Sequence, residues 1–177
     1  KKGREHSLEG VVADLAALLD ALDIRSPICL AGCAMGAHFS AGFDARHPAR
    51  VAKLVLASPL AGSNAGRSAG SLERAVQVER EGVRSAMQAS HERSYPEILR
   101  EPDRERFRRY QARWVCNTPA TFTAQARMMS AVDLSEDYAR ISAPTLVIGA
   151  MFDGLRPAAM AQQVAGTVRG AHYTLAG

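Results

Sequence analysis

The sequence predicts an α/β fold, a parallel sheet with a helical insertion, and three observations lead to it. Two short apolar runs, Ile28 to Ala31 and Val51 to Ser58, flank a stripe of Met35, Phe39 and Phe43 spaced four apart. That order is strand, helix, strand, which makes a parallel crossover. The same grammar returns near the C-terminal end, with Pro144 to Ile148 as a strand, Pro157 to Val164 as a helix and Ala171 to Leu175 as a short last strand. Between these halves lies a longer helical stretch, so the expected division is a first core part over 1–61, an insertion over 62–140 and a second core part over 141–177.

Each element has a local reason. Ser7 is an N-cap for a helix running to about Asp23, with Val11, Leu15, Leu18, Leu19 and Leu22 assigned to one face. Pro27 introduces the run from Ile28 to Ala31, which Gly32 closes; its lack of alternation predicts a strand buried on both faces. The helix after it spans Ala34 to His47 and stops at Pro48, and Val51 to Ser58 reads as a second buried strand ended by Pro59. Gly62 to Gly70 is rich in glycine, serine and alanine and reads as a linker. Ser71 to about His91 then reads as one helix with Leu72, Val76, Val83 and Met87 on one side. Phe107, Tyr110 and Trp114 mark a second helical stripe, and Thr118-Pro119 is a cap and first turn for a third.

Composition narrows the classes of function. The 177 residues are 47% hydrophobic, enough for a globular core. No run approaches the ~20 apolar residues of a membrane span, and the charged segment Lys1 to His6 leads into no signal-peptide core, so a cytoplasmic location is expected. The net charge of +4 comes from arginines interleaved with acids, as over Glu97 to Arg109. That pattern predicts a solvated face and no nucleic-acid partner. The three cysteines are expected to be reduced. His6, His47 and His91 show no metal-ligand spacing, and the Gly62 to Gly70 segment lacks a phosphate-loop ending, so neither metal nor cofactor is expected.

The informative segment is Leu30-Ala31-Gly32-Cys33-Ala34-Met35-Gly36-Ala37. It joins a strand to a helix, the context of a G-x-S-x-G nucleophile elbow, and small residues two before and two after the centre let the chain turn sharply. Gly32 and Gly36 take those places around Ala34, which has no oxygen or sulfur with which to attack a carbonyl.

On these residues the chain resembles the α/β-hydrolases, and within them 3-oxoadipate enol-lactonases and related small esterases and lactonases. The likeness includes His47-Pro48-Ala49-Arg50-Val51 leading into Leu54-Val55-Leu56, the Arg113-Trp114 pair in a lid, and Ile141 to Ile148. The resemblance implies a small ester or lactone as substrate and no cofactor. It implies that Ala34 holds the nucleophile position, that the backbone N-H of Met35 is an oxyanion-hole donor, and that Asp153, in Ala150-Met151-Phe152-Asp153-Gly154-Leu155-Arg156-Pro157, holds the position of the triad acid, facing residue 34. It further implies that the triad histidine falls beyond Gly177 and that the family's first strands, one of them beside Ile28 to Ala31, fall before Lys1.

Other readings of the same residues stay open. Cys33 could replace the nucleophile, although centring the elbow there puts the bulky Met35 two residues on; a buried, inert thiol is the alternative. His38, one turn past Ala34, either lines the substrate pocket or packs in the core. Trp114, with Phe107 and Tyr110, either roofs an apolar pocket or packs the lid. Asp153 next to Gly154 could also be a plain turn residue. Ser58 and Ser63 lack the glycines and following helix of an elbow. A chain with Ala34 could finally be a non-catalytic binder on the same fold. The oligomeric state is not written in these residues.

Overall fold

A computed structural model describes residues 6–62 and 65–177. In chain order the elements are α1 (Leu8–Ala21), β1 (Ile28–Cys33), α2 (Met35–Arg46), β2 (Val51–Ala57), α3 (Ala65–Glu81), α4 (Met87–Ser94), α5 (Glu97–Arg100), α6 (Arg104–Trp114), α7 (Pro119–Ala131), α8 (Ser135–Arg140), β3 (Thr145–Ala150), α9 (Ala158–Thr167) and β4 (His172–Ala176). They fall into two compact units. One takes the described residues of 1–62, 132–151 and 156–177; the other takes those of 63–131 and 152–155.

The first unit is built on a four-stranded sheet in the order β1-β2-β3-β4, with every neighbouring pair parallel. Parallel pairing follows from the crossovers through α2 and α9, which leave no short hairpin route between strands. Helix α2 packs on β1 and β2, α9 packs on β3 and β4, and α1 and α8 pack on α2. The core lies beneath this layer, where Phe43, Leu56 and Val147 are fully enclosed and Leu54 nearly so. Burying a side chain of that size contributes roughly 2 kcal/mol.

Neither strand expected to be buried is covered on both faces: β1 alternates half-buried with exposed residues, and β2 is buried on one face. In β1, Cys29, Ala31 and Cys33 are exposed, and in β2 Ala52 and Lys53 are exposed. Register explains the pattern. Cys29 pairs with Lys53, Ala31 with Val55 and Cys33 with Ala57, so these residues share one face, while Leu30, Leu54, Leu56 and Val147 point under the helices. Cys33 is therefore an exposed free thiol and not the buried one of the alternative reading.

Helix α1 starts as its cap predicts, with the Ser7 hydroxyl accepting the Gly10 N-H at 3.0 Å. Its buried stripe differs from the expected one. Leu8, Val12 and Leu19 are buried with Leu15 against them, whereas Leu18 and Leu22 are 54% and 61% exposed. A stripe at 8, 12, 15 and 19 follows the 3.6-residue period; Leu18 falls off it, while Leu22, in line with it, lies past the last helical residue, Ala21, at the C-cap. Two further ties fix the layer. Arg46 Nη1 donates to Asp137 Oδ1 at 2.7 Å, joining α2 to α8, and Asp44 Oδ2 accepts the Ser142 N-H at 2.9 Å.

The second unit is helical. The expected linker is partly helix, since α3 starts at Ala65, and the expected single helix from Ser71 to His91 breaks at Gly82. The break has a backbone cause: Gly82 has φ of 81°, outside the helical region and open to glycine. The buried residues are accordingly Ala75, Val78, Val83 and Ala86, while Leu72 and Val76 are exposed. Helix α3 packs on α7, whose start is capped by Thr118 Oγ1 accepting the Thr121 N-H. Ser63 lies outside the described residues.

Candidate functional site

The carboxyl edge of a parallel sheet is where such folds present reacting groups. Here the ladder of β1 and β2 runs to its last pair, Cys33 with Ala57, and one more bond follows as Ala34 N-H donates to Ala57 O at 2.9 Å. At Ala34 the chain turns with φ of 56° and ψ of −117°, a conformation L-residues rarely adopt, and α2 begins at Met35. The N-H of Met35 thus lies in the first turn of a helix, where backbone donors have no intrahelical acceptor.

Gly32 makes the bend possible. A Cβ built there would stand 2.2 Å from the carbonyl oxygen of Gly36 and 2.6 Å from Ala37 N, so strand and helix meet backbone to backbone. The two glycines differ, because a Cβ on Gly36 would meet nothing within 4 Å. The demand for a small residue falls on the strand side of the elbow alone.

Beside Ala34, at the end of β2, Ser58 also has positive φ, 46°, and its N-H donates to Ile148 O at 2.8 Å. Two adjacent non-glycine residues in the left-handed region at one sheet edge are a concentration of backbone strain of a kind that gathers at functional sites. The segment that continues from Ser58 is held by a residue that the sequence singles out and one that it does not. His38, 1% exposed, accepts the Leu60 N-H on Nε2 at 2.9 Å, and Tyr138, 2% exposed, donates its hydroxyl to Leu60 O at 2.8 Å. His38 is therefore a core residue whose proton sits on Nδ1, where it meets no acceptor among the described residues. Burial, followed by the Arg156 guanidinium, lowers its pKa to about 4. Burial, followed by the Asp137 carboxylate, raises the pKa of the Tyr138 phenol. The Ser58-Pro59 step was the only sequence signal of this bend; Tyr138 carried none, since its short helix shows no periodicity of its own.

Asp153 lies in the turn after β3 and belongs to the helical unit. Its Oδ1 accepts the Leu155 N-H at 2.9 Å, and the next residue, Gly154, donates its N-H to Arg93 O at 3.2 Å. In the same unit Trp114 donates its indole N-H to Val83 O at 3.2 Å. Trp114, Phe107 and Tyr110 surround His91, at ring-centroid distances of 5.3, 5.7 and 5.0 Å. Among the described residues no group of three His, Cys, Asp or Glu side chains is placed to hold a metal, and no helix is long and apolar enough to cross a membrane.

Comparison with known proteins follows from this geometry. The family model described as "Serine aminopeptidase, S33" matches residues 1–176. No curated protein matches the sequence. Among solved structures, the chain is similar to the enol-lactonase from Burkholderia xenovorans LB400, with 22% identity and a TM-score of 0.91 over 97% of this chain and 65% of that one. It is similar to a hydrolase from Pseudomonas aeruginosa PA01, at 24% identity and a TM-score of 0.89, covering 98% of this chain and 64% of that one. A thermophilic esterase from Thermogutta terrifontis gives 23% identity and a TM-score of 0.89, again covering 98% of this chain and 64% of that one. The chain thus spans just under two thirds of the length of each of these proteins.

Proposed function

Because the chain belongs to the serine aminopeptidase S33 family, we propose that its protein is built as a hydrolase of small esters or enol-lactones whose attacking atom has been removed at position 34. The reading rests on one observation above the others, the left-handed turn at Ala34 between β1 and α2, reached only because Gly32 lacks a side chain. A serine at position 34 would be raised on that turn, the Met35 N-H would receive the developing oxyanion, and Asp153 would orient a histidine. Cys33, the residue before the elbow on β1, is assigned to the substrate pocket. The helical unit is assigned the role of lid. The substrate class extends to this chain what the enol-lactonase and esterase titles say of their own proteins. The three cysteines, all free thiols, support a cytoplasmic setting.

The test is hydrolysis of p-nitrophenyl acetate and of an enol-lactone by the complete gene product, with and without Ala34→Ser. Activity that arises only in the Ala34→Ser protein supports the reading; activity in neither protein overturns it. A second reading, a binder on the same fold, is favoured by Ala34 itself, which leaves the elbow with no attacking atom. Tight binding of an uncleaved ester by the unaltered protein, with no hydrolysis after Ala34→Ser, would favour that second reading.

A further inference from the structure

The five residues Ser58 to Gly62 carry the chain away from the sheet edge next to residue 34. They turn at both ends, with φ of 46° at Ser58 and 56° at Gly62. Neither turn fixes the middle of the segment. Leu60 is fixed by side chains, its N-H held by His38 of α2 and its carbonyl by Tyr138 of α8. Both holders are almost fully buried, so neither exchanges its bond for water. His38 is also one helical turn from residue 34, on the helix that the elbow starts. The two stems of the inserted segment meet here as well, because Leu60 leads out of the sheet unit and α8 leads back into it.

We propose that His38 and Tyr138 are positioning residues that act through Leu60, together setting the strap Ser58–Gly62 beside residue 34 and thereby the shape of the site there. The consequence of this bonding for a substrate rests on the hydrolase reading; the bonds to Leu60 do not. A ring nitrogen as acceptor for a backbone N-H is a specific requirement, which an apolar residue at position 38 cannot meet and a glutamine carbonyl can.

The experiment is amide hydrogen exchange on the 177-residue chain, read at Leu60, with Ala37 as the fold control because its N-H donates to Ala34 O inside the elbow. His38→Leu is expected to lower protection at Leu60 by about tenfold or more, with Ala37 unchanged, and His38→Gln to keep most of it. Where His38→Leu also lowers protection at Ala37, the gentler Tyr138→Phe decides, and a loss of about threefold at Leu60 alone is expected. Unchanged protection at Leu60 in both variants, or an equal loss in His38→Gln, overturns the proposal. In the complete Ala34→Ser protein, His38→Leu should lower kcat/KM by about tenfold and His38→Gln restore it. A kcat/KM that ignores position 38 overturns the catalytic half. An Ala34→Ser protein that hydrolyses nothing counts against the hydrolase reading, and the exchange at Leu60 then still decides the clamp.

Discussion

Gly32 and Gly36 approach so closely that a Cβ on the first would lie 2.2 Å from the carbonyl oxygen of the second, while a Cβ on the second would lie in open space. The asymmetry makes a direct prediction. Gly32→Ala drives a methyl into backbone that cannot yield without parting α2 from β1, and is expected to cost about 3 kcal/mol or more. Gly36→Ala meets nothing and replaces a glycine in the first turn of a helix, so it is expected to be neutral or to stabilise by about 0.5–1 kcal/mol. Urea unfolding of both variants checks this; similar losses in the two would mean that the elbow is not packed backbone to backbone.

Ala34 holds a conformation that favours glycine. Its φ of 56° with ψ of −117° costs an L-residue about 1–3 kcal/mol, against the roughly 0.5–1 kcal/mol that glycine adds to the entropy of the unfolded chain. Ala34→Gly is therefore expected to raise stability by about 1 kcal/mol, or roughly 2–4 °C in Tm for a chain of this size. A Tm that falls on this substitution would show that the turn is not strained.

His38 makes stability depend on pH in a known direction. Its folded pKa of about 4 lies below the ordinary 6.5, so between those values the unfolded chain binds the proton that the folded chain refuses. The contribution is complete above pH 6.5 and is lost as pH falls toward 4, by roughly 3 kcal/mol in all. His38→Gln, which keeps an acceptor for Leu60 and cannot titrate, should flatten the fall in stability between pH 6.5 and 4. Equal slopes for the two proteins in denaturant unfolding at pH 4.5, 5.5 and 6.5 would refute it.

What the sequence made legible follows the range of the forces involved. The strands, the parallel order and the bend at 34 rest on local patterns, namely apolar runs, turn residues and the Gly32-x-Ala34-x-Gly36 spacing, and these are where the structure agrees. Which face a residue shows depends on what packs there. Cys29, Ala31 and Cys33 are apolar enough for a buried strand, yet the helix layer covers only the other side of β1. Leu18 lies outside the buried face of α1 by angle, and Leu22, which shares that face by angle, lies past the end of the helix at Ala21. The Leu60 clamp was illegible for a different reason, since it joins residues 38, 60 and 138 through single polar atoms that leave no periodic trace. A triad-acid place for Asp153 is implied by resemblance alone; its own contacts show a side chain that closes a turn onto Leu155.

The helical unit keeps one histidine at a cost to stability. His91 is 2% exposed, and among the described residues neither ring nitrogen has a partner; the neighbouring Ser90 hydroxyl is equally unpaired there. Around it stand Phe107, Tyr110 and Trp114, and the Arg100 guanidinium lies over Phe107 at 5.4 Å from the ring centroid. Burial, and then Arg100, lower the pKa of His91, so the folded unit holds it neutral. Leaving a buried polar group unpaired costs about 1–3 kcal/mol, and an aromatic ring of similar size removes that cost while keeping the edge-to-face contacts. His91→Phe is accordingly expected to stabilise by about 1 kcal/mol at pH 7. Because a lowered folded pKa means that stability falls as pH drops below 6.5, the gain should widen in acid. Thermal unfolding of His91→Phe beside the unaltered chain at pH 7 and pH 5 measures both effects. A variant less stable at both values would mean that the imidazole nitrogens are satisfied in solution by a group that the aromatic ring displaces.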